Sequence, residues 1–491
     1  MLDAQGYWFA RLFFLRGTAL VSLIAFINAL NQFRPLCGEH GLLPAPAFIR
    51  QVPYAQSPSL FYLAPRDSAF AIAAWLGIVL SGIALTGFSE RYGTWFSMLI
   101  WAAIWILYLS FVNVGQIFYG FGWESILLEA IFLAIFMGAA RTTPQLIPLW
   151  LVRWLLFRIM FGAGLIKIRG DECWRNLTCL DWHYETQPMP NPLSWFFHWM
   201  PEWSHKGEVL FNHFSELIVP FGYFLPQPFA SIAGIITIVF QLSIMVTGNL
   251  SWLNLLTLIL AFPMIDDKFW TWAIGLFTHF SAPFTTPPLR IETYLQFAVA
   301  ALTVALSIPV VVNMLSARQL MNFNYNPFHL VGTYGAFGSV TRPRYEVVVE
   351  GTDSETLTSA SLWREYEFKA KPTDVKRMPP QIAPYHLRLD WLMWFAALSS
   401  YRDQPWFLPF VARLLQGDRP TLLLMRGNPF PSHPPRYVRA QFYEYHFTTP
   451  AERRATGAWW KRQLAGSYLP PVSLDTPGFR RLLKEEGVLP Q

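Results

Sequence analysis

The sequence predicts an α-helical multi-pass membrane bundle followed by a C-terminal α+β, β-rich soluble domain. Three observations carry this. Of 491 residues, 53% are hydrophobic, 17% aromatic and only 14% charged, against about 25% charged in ordinary soluble domains. Apolar runs long enough to cross hydrocarbon recur through the first 317 residues. The charge is divided unevenly. Residues 1–317 carry 15 Lys and Arg against 16 Asp and Glu, a net of −1, whereas residues 318–491 carry 22 against 15, a net of +7. The predicted domains are therefore 1–317 and 318–491, with an extramembrane loop at 167–212. The composition excludes a disordered chain and an ordinary soluble enzyme. The C-terminal excess of positive charge forms no long basic run, so it points to an anionic membrane surface and not to nucleic acid. Three cysteines are too few for a disulfide scaffold or a four-cysteine zinc site.

The apolar spans run Phe13–Leu30, Ala69–Gly87, Thr94–Phe111, Ser125–Ala140, Leu146–Ile166, Ser231–Thr247 and Tyr294–Leu315. His213–Leu225 and Trp252–Met264 are shorter but continuous, giving about eight or nine passes. The first span lacks a small-residue cleavage site and is followed by others, so it reads as a membrane helix and not a signal peptide. Arginines flank both sets of helix ends, and the positive-inside rule does not decide orientation. Nine passes from an inside amino terminus would put both the 167–212 loop and residues 318–491 outside.

Ionisable residues fall inside or at the edges of these spans: Glu124, Glu129, Arg153, Arg158, Lys167 and Glu216. Each charge at membrane depth costs about 3 kcal/mol even on lenient scales, so it faces protein or a wet cavity. Two readings stay open. The residues pair with one another and hold the bundle, or some of them line a functional pocket. Lys167, at a span's end, either snorkels to the interface or is a desolvated base. With His183, Glu129 and Glu216 it forms the candidate catalytic set.

Cys173 and Cys179 are six apart and are the disulfide candidate if the loop faces an oxidising compartment. Cys37 is left over, and no Cys-x-x-Cys redox motif is present. His183, Glu185, His213 and Glu216 form no recognised ligand set, so neither a metal nor a cofactor is expected. The run Asp181-Trp-His-Tyr-Glu-Thr-Gln-Pro-Met-Pro-Asn-Pro192 carries three prolines in five positions. That pattern forbids helix and central strand, predicting a stiff extended plug or recognition surface. Asn176-Leu-Thr and Asn249-Leu-Ser match the glycosylation sequon, a common chance pattern.

In residues 318–491, Tyr345–Glu350, Leu362–Phe368 and Arg436–Phe447 read as strands. Leu387–Tyr401 reads as an amphipathic helix, and Phe407–Leu415 and Thr421–Met425 as helical or short buried pieces. The chain beyond about 470 reads as proline-punctuated coil with a short basic helix. Arg364, Arg388, Arg436 and Arg439 either decorate a solvated face or dock a client protein. His386, Asp390 and Ser399 mimic a hydrolase triad, but the chain has no Gly-x-Ser-x-Gly elbow. It also has no phosphate loop, dinucleotide fingerprint or zinc-protease motif.

Several strings resemble one family. They are Gly162–Pro192, Asn212-His-Phe-Ser-Glu-Leu217, Thr247-Gly-Asn-Leu-Ser251 and Asp266-Asp267. The match resumes at Thr333-Tyr-Gly-Ala-Phe-Gly338 and Pro384-Tyr-His-Leu-Arg-Leu-Asp-Trp-Leu-Met-Trp-Phe395. Together they resemble the lipase maturation factor family across nearly the whole chain. The resemblance implies a multi-pass protein of the endoplasmic reticulum membrane in animals, needed for secreted dimeric lipases to fold and assemble. The implied partners are a secreted lipase or another exported client, and membrane lipids. The short leader and early end look like a bacterial-type member, which would sit in the cytoplasmic membrane. A narrower similarity links Gly162-Ala-Gly-Leu-Ile-Lys167 and Trp174 to the helix end of vitamin K-dependent carboxylases that carries the base lysine, at the position of Lys167. The reading is a maturation factor without chemistry of its own. The alternatives are a membrane enzyme centred on Lys167 and a thiol-dependent oxidoreductase using Cys173 and Cys179.

Overall fold

Inside hydrocarbon every backbone N–H and C=O needs an internal partner, and apolar sequence meets that need as helix. The computed structural model describes residues 3–278 and 282–485. The long helices α1 (Trp8–Cys37), α2 (Asp67–Thr86), α3 (Thr94–Val114), α5 (Leu146–Arg169), α8 (Phe229–Thr247) and α10 (Arg290–Leu315) are each long and apolar enough to cross a membrane. Together they make this a multi-pass membrane protein.

Three further segments run between the same two ends of the bundle. The first is α4 (Gly122–Ala134), buried at every residue but Phe132. It starts with Trp123 against Trp391 and His386 and its chain arrives at Ala140, whose carbonyl accepts from Trp8 Nε1 and Arg11 Nη2. The second begins as α7 (Glu202–His213) and, through a π turn at Phe214–Ile218 and a short helix at Val219–Gly222, reaches Gln227, which donates to the Tyr7 hydroxyl. The third is α9 (Leu253–Ala261), extended to Met264. The expected spans Ser125–Ala140, His213–Leu225 and Trp252–Met264 are thus passes of the bundle but not long apolar helices. Protein shields the first and third, so they need neither the length nor the unbroken apolarity of a lipid-facing helix, whereas the second turns Leu210, Phe214, Ile218, Phe221 and Leu225 outward.

Close approach sets the bundle's seams. A side chain at Gly77 of α2 would place its Cβ 2.3 Å from the Phe26 ring of α1. At the end of the bundle near the amino terminus, the Asp267 carboxylate accepts from the backbone N–H groups of Trp8 and Phe9, both at 2.9 Å. At the other end, Asn28 and Gln32 of α1 hydrogen-bond the carbonyl of His386. The amino terminus and residues 318–485 therefore lie at opposite ends of the bundle.

The C-terminal region opens with a two-residue antiparallel pair, β1 (Phe323–Asn324) and β2 (Gly332–Thr333). Its main sheet is antiparallel with order β4-β3-β5-β6: β3 (Arg344–Thr352), β4 (Arg364–Glu365), β5 (Tyr437–Phe447) and β6 (Trp460–Val472). In the long central pairing Val348 faces Gln441. The helices α11 (Arg388–Ala396) and α12 (Phe407–Leu415) complete the domain, and its apolar core is continuous with that of the bundle.

Four expectations need correction. The strand read at Leu362–Phe368 pairs only at Arg364–Glu365, because the chain then turns inward to bury Tyr366 and Phe368. The helix read to Tyr401 ends at Ala396. The strand β6 was hidden in a segment with exposed polar residues and two prolines, which an edge strand tolerates. The proline-rich run begins as a helix, α6 (Leu180–Thr186), because Pro188, Pro190 and Pro192 all lie beyond its end. The expected short basic helix is Pro477–Glu485; before it, the chain read as coil is strand β6 up to Val472, and residues 486–491 lie outside the described residues.

Candidate functional site

A cavity of about 990 Å³ lies where the bundle meets the C-terminal domain, walled by α4, α5, α6, α7, α8, α9, α11 and the Tyr334–Ser339 segment. Lys167, His183 and Glu216 all line it; Glu129 does not.

Lys167 closes α5 and is buried. Its ammonium donates to Asn212 Oδ1 and to Glu216 Oε1, both at 2.7 Å, and lies 4.9 Å from the centre of the Trp174 ring. Asn212 Nδ2 in turn donates to Glu216 Oε2 at 3.1 Å. Glu216 sits in the π turn. Pro220, four residues on, has no N–H for the Glu216 carbonyl, and its ring crowds that carbonyl, so the helix widens there and re-aims its side chains. Gly164 of α5 makes room for the turn: a Cβ there would fall 2.7 Å from Leu217 and 3.0 Å from the Glu216 Cβ.

His183, on α6, turns its ring edge-on to Phe337, with centroids 5.0 Å apart. Desolvation, and secondarily the Lys167 ammonium, pull its pKa from 6.5 down to about 4, so the imidazole is neutral at neutral pH. Among the described residues, no side chain hydrogen-bonds its ring nitrogens.

Cys173 and Cys179 are joined as a disulfide, with Cα atoms 4.7 Å apart. Both are buried with Trp174, Val209 and Val340. The small loop they close holds Trp174 on the cavity wall, where its indole N–H donates to the Phe337 carbonyl at 2.8 Å. Beside it, Asp171 takes two hydrogen bonds from Arg342 and two from backbone N–H groups, which holds its carboxyl well below the usual range. Cys37 is free and buried elsewhere.

The segment 185–192 acts as a plug between bundle and domain. Arg344, itself buried, donates to the carbonyls of Glu185 (2.8 Å) and Pro188 (3.2 Å). Asn191 donates to Val246 at 2.8 Å. The side chain of Asn249 is fully buried, donating to Pro380 and accepting from Ile382 and Ala383, so its sequon is inaccessible in the folded protein.

Of the remaining intramembrane charges, Arg153 donates to the Tyr223 and Pro263 carbonyls, and Glu124, Glu129 and Arg158 belong to two separate networks. Glu129 pairs with Arg158 and accepts from the Tyr334 hydroxyl at 2.9 Å, and Arg158 also donates to the Gly332 carbonyl at 2.8 Å. Glu124 pairs with Arg388 at 2.7 Å and accepts from the Tyr108 hydroxyl. Arg388 also donates to Asn28 at 2.9 Å and to the Phe118 carbonyl at 2.7 Å. It is therefore no client-docking residue but a bolt driven from the domain into the bundle. No local pattern marked this, since its partners lie 264 and 360 residues away in sequence. Arg364 and Arg436 are exposed, and Arg439 is tied to Glu350 at 2.6 Å and stacks on Trp363. His386 lies in a box of Phe121, Trp123, Trp252 and Trp391, while Asp390 caps the N–H groups of Ala370 and Lys371; neither addresses Ser399.

The lipase maturation factor transmembrane domain matches residues 9–272, and the lipase maturation factor C-terminal domain matches residues 330–470. Lipase maturation factor 1 of Bos taurus is 42% identical over 96% of this chain and 90% of its own length. The Homo sapiens protein of that name is 41% identical over 98% and 91%. Lipase maturation factor 2 of Xenopus laevis is 31% identical over 98% and 84%. No solved structure matches the chain. These relatives are vertebrate proteins, so they lend no support to a bacterial-type member. With both halves matched in order along nearly its whole length, the chain belongs to the lipase maturation factor family.

Proposed function

We propose that this protein is a membrane-embedded maturation factor that helps secreted lipases, or similar exported proteins, to fold or assemble. The observation that carries the reading is the match of both domains, in order, to proteins named lipase maturation factor. Its setting is a membrane where exported proteins fold: the endoplasmic reticulum in a eukaryotic host, the cytoplasmic membrane in a bacterial one. The enzymatic alternatives are not favoured. Lys167 is ion-paired with Glu216 at 2.7 Å, and the Cys173–Cys179 disulfide is buried. Arg364, Arg436 and Arg439 of the sheet remain the client-docking candidates, now without Arg388.

The test is co-expression with a secreted dimeric lipase in cells lacking their own maturation factor. Lipase activity per unit of lipase protein should rise several-fold when this chain is present. Unchanged activity per unit mass would sink the reading. The variant Cys173→Ser/Cys179→Ser should keep the effect in proportion to its folded amount. Complete loss at normal folded levels would restore the oxidoreductase alternative.

A further inference from the structure

The cavity at the bundle–domain junction has a wall of two characters. Most of it is apolar: Ile126, Met160, Phe240, Leu250, Leu253 and Trp391. One polar cluster, Lys167 with Asn212 and Glu216, faces in together with His183, while the Gln241 and Asn254 amides, also on the wall, hydrogen-bond one another. At about 990 Å³ it stands at the top of the roughly 300–1,000 Å³ range of small-molecule sites. The wall also reaches the outer surface of the bundle. Leu242 and Val246, on α8, line the cavity and are each 45% exposed, and Phe395 on α11 and Leu398 just beyond it are exposed as well. Because α8 is a membrane-crossing helix, that mouth opens towards lipid.

The polar cluster restricts the head group. An ammonium has three N–H donors. Asn212 and Glu216 take two from Lys167, which leaves one for an acceptor in the cavity. The His183 imidazole is neutral and offers one donor and one acceptor. No positive charge is left over: Lys167 is matched by Glu216, and Glu208, also on the wall, is engaged by the Tyr184 hydroxyl. A phosphate here would face two carboxylates with no cation of its own, a costly burial. A hydroxyl or ester head would satisfy both open groups.

We propose that this cavity binds one uncharged, hydroxyl-bearing glycerolipid of the diacylglycerol class, its head on Lys167 and His183 and its chains along the apolar wall, entering from the bilayer between α8 and α11. The proposal goes beyond maturation of a client, and it is read out with no lipase present, so each can fail alone.

The test uses the purified full-length protein in phosphatidylcholine nanodiscs with a photoreactive diacylglycerol. Labelling should saturate, map to peptides covering 240–253 and 391–398, and be displaced by unlabelled dioleoylglycerol. Photoreactive phosphatidylcholine and cholesterol should label these peptides at least tenfold less. Ala163→Phe fills the cavity from α5 and should cut diacylglycerol labelling at least tenfold with an unchanged unfolding temperature. Should that variant not fold, Ala336→Trp, on the loop wall, is read the same way. His183→Phe should weaken displacement several-fold. Equal labelling by phosphatidylcholine or cholesterol, unsaturable labelling, or labelling indifferent to a folded cavity-filling variant would each overturn the proposal.

Discussion

Arg388 carries a charge to a point with no solvent, 3.5 Å over the Tyr119 ring and bonded to Glu124, Asn28 and Phe118. Such a pair contributes little over an apolar replacement, but removing one partner strands the other charge at a cost of about 3–5 kcal/mol. Arg388→Met should therefore destabilise by that order, while Arg388→Met/Glu124→Gln should recover more than half. Thermal unfolding of purified variants in detergent measures both. Lys167 and Glu216 obey the same logic: Lys167→Met alone should lower folded yield sharply, and adding Glu216→Gln should restore most of it. His183 gives a pH signature. Its folded pKa lies below its unfolded 6.5, so the unfolded chain binds the proton first. Its contribution is intact above pH 6.5 and is lost as pH falls from there towards about 4. His183→Phe should flatten that part of the stability–pH curve, and an unchanged slope would show that the ring is not desolvated. Three of the four candidate catalytic residues share one cavity wall: Lys167 near the end of α5, His183 on α6 and Glu216 in the π turn after α7. The position of Glu129 was not readable, because Arg158 and Tyr334 claim it from distant segments.

At the scale of elements, glycines define the contact between α5 and the segment after β2. A Cβ on Gly170 would lie 2.2 Å from the Gly338 carbonyl oxygen, one on Gly162 2.7 Å from the Tyr334 carbonyl oxygen, and one on Gly338 2.5 Å from Ile166. Backbone atoms cannot swing aside as a side-chain tip can. Gly170→Ala should thus part α5 from the Tyr334–Ser339 segment, costing about 1–3 kcal/mol as overpacking does. Faster limited proteolysis near Gly338 is the readout, and cleavage at the wild-type rate would contradict this packing. The start of the string Gly162–Pro192 and the string Thr333–Gly338, singled out separately in the sequence, turn out to be two sides of one joint. Their spacing along the chain gave no hint of it. The helix α6 and the strand β6 mark the limit of local reading in the other direction. Prolines shape only the residues they crowd, and an edge strand needs no alternating apolar face.

At the scale of the whole molecule, the two domains are interlocked rather than tethered. The C-terminal region supplies Arg388 to Glu124, Tyr334 to Glu129 and the Gly332 carbonyl to Arg158. Removing residues 318–491 would leave those bundle groups buried and unmatched. The fragment 1–317 should therefore fail to accumulate as a folded protein, as read by size-exclusion of detergent extracts. A stable, monodisperse fragment would contradict the interlock.

The sequence by itself determined the class of the molecule. The apolar runs, the charge step at 317 and the β-branched strands are local properties, set by what hydrocarbon and a pleated sheet each demand of neighbouring residues. It also marked which charges needed an explanation. Which charge answers which, where the glycine seams meet and whether a cavity remains between the domains were decided by the tertiary structure alone. Those outcomes depend on atoms brought within a few ångströms from segments hundreds of residues apart, and no periodicity along the chain records such a meeting.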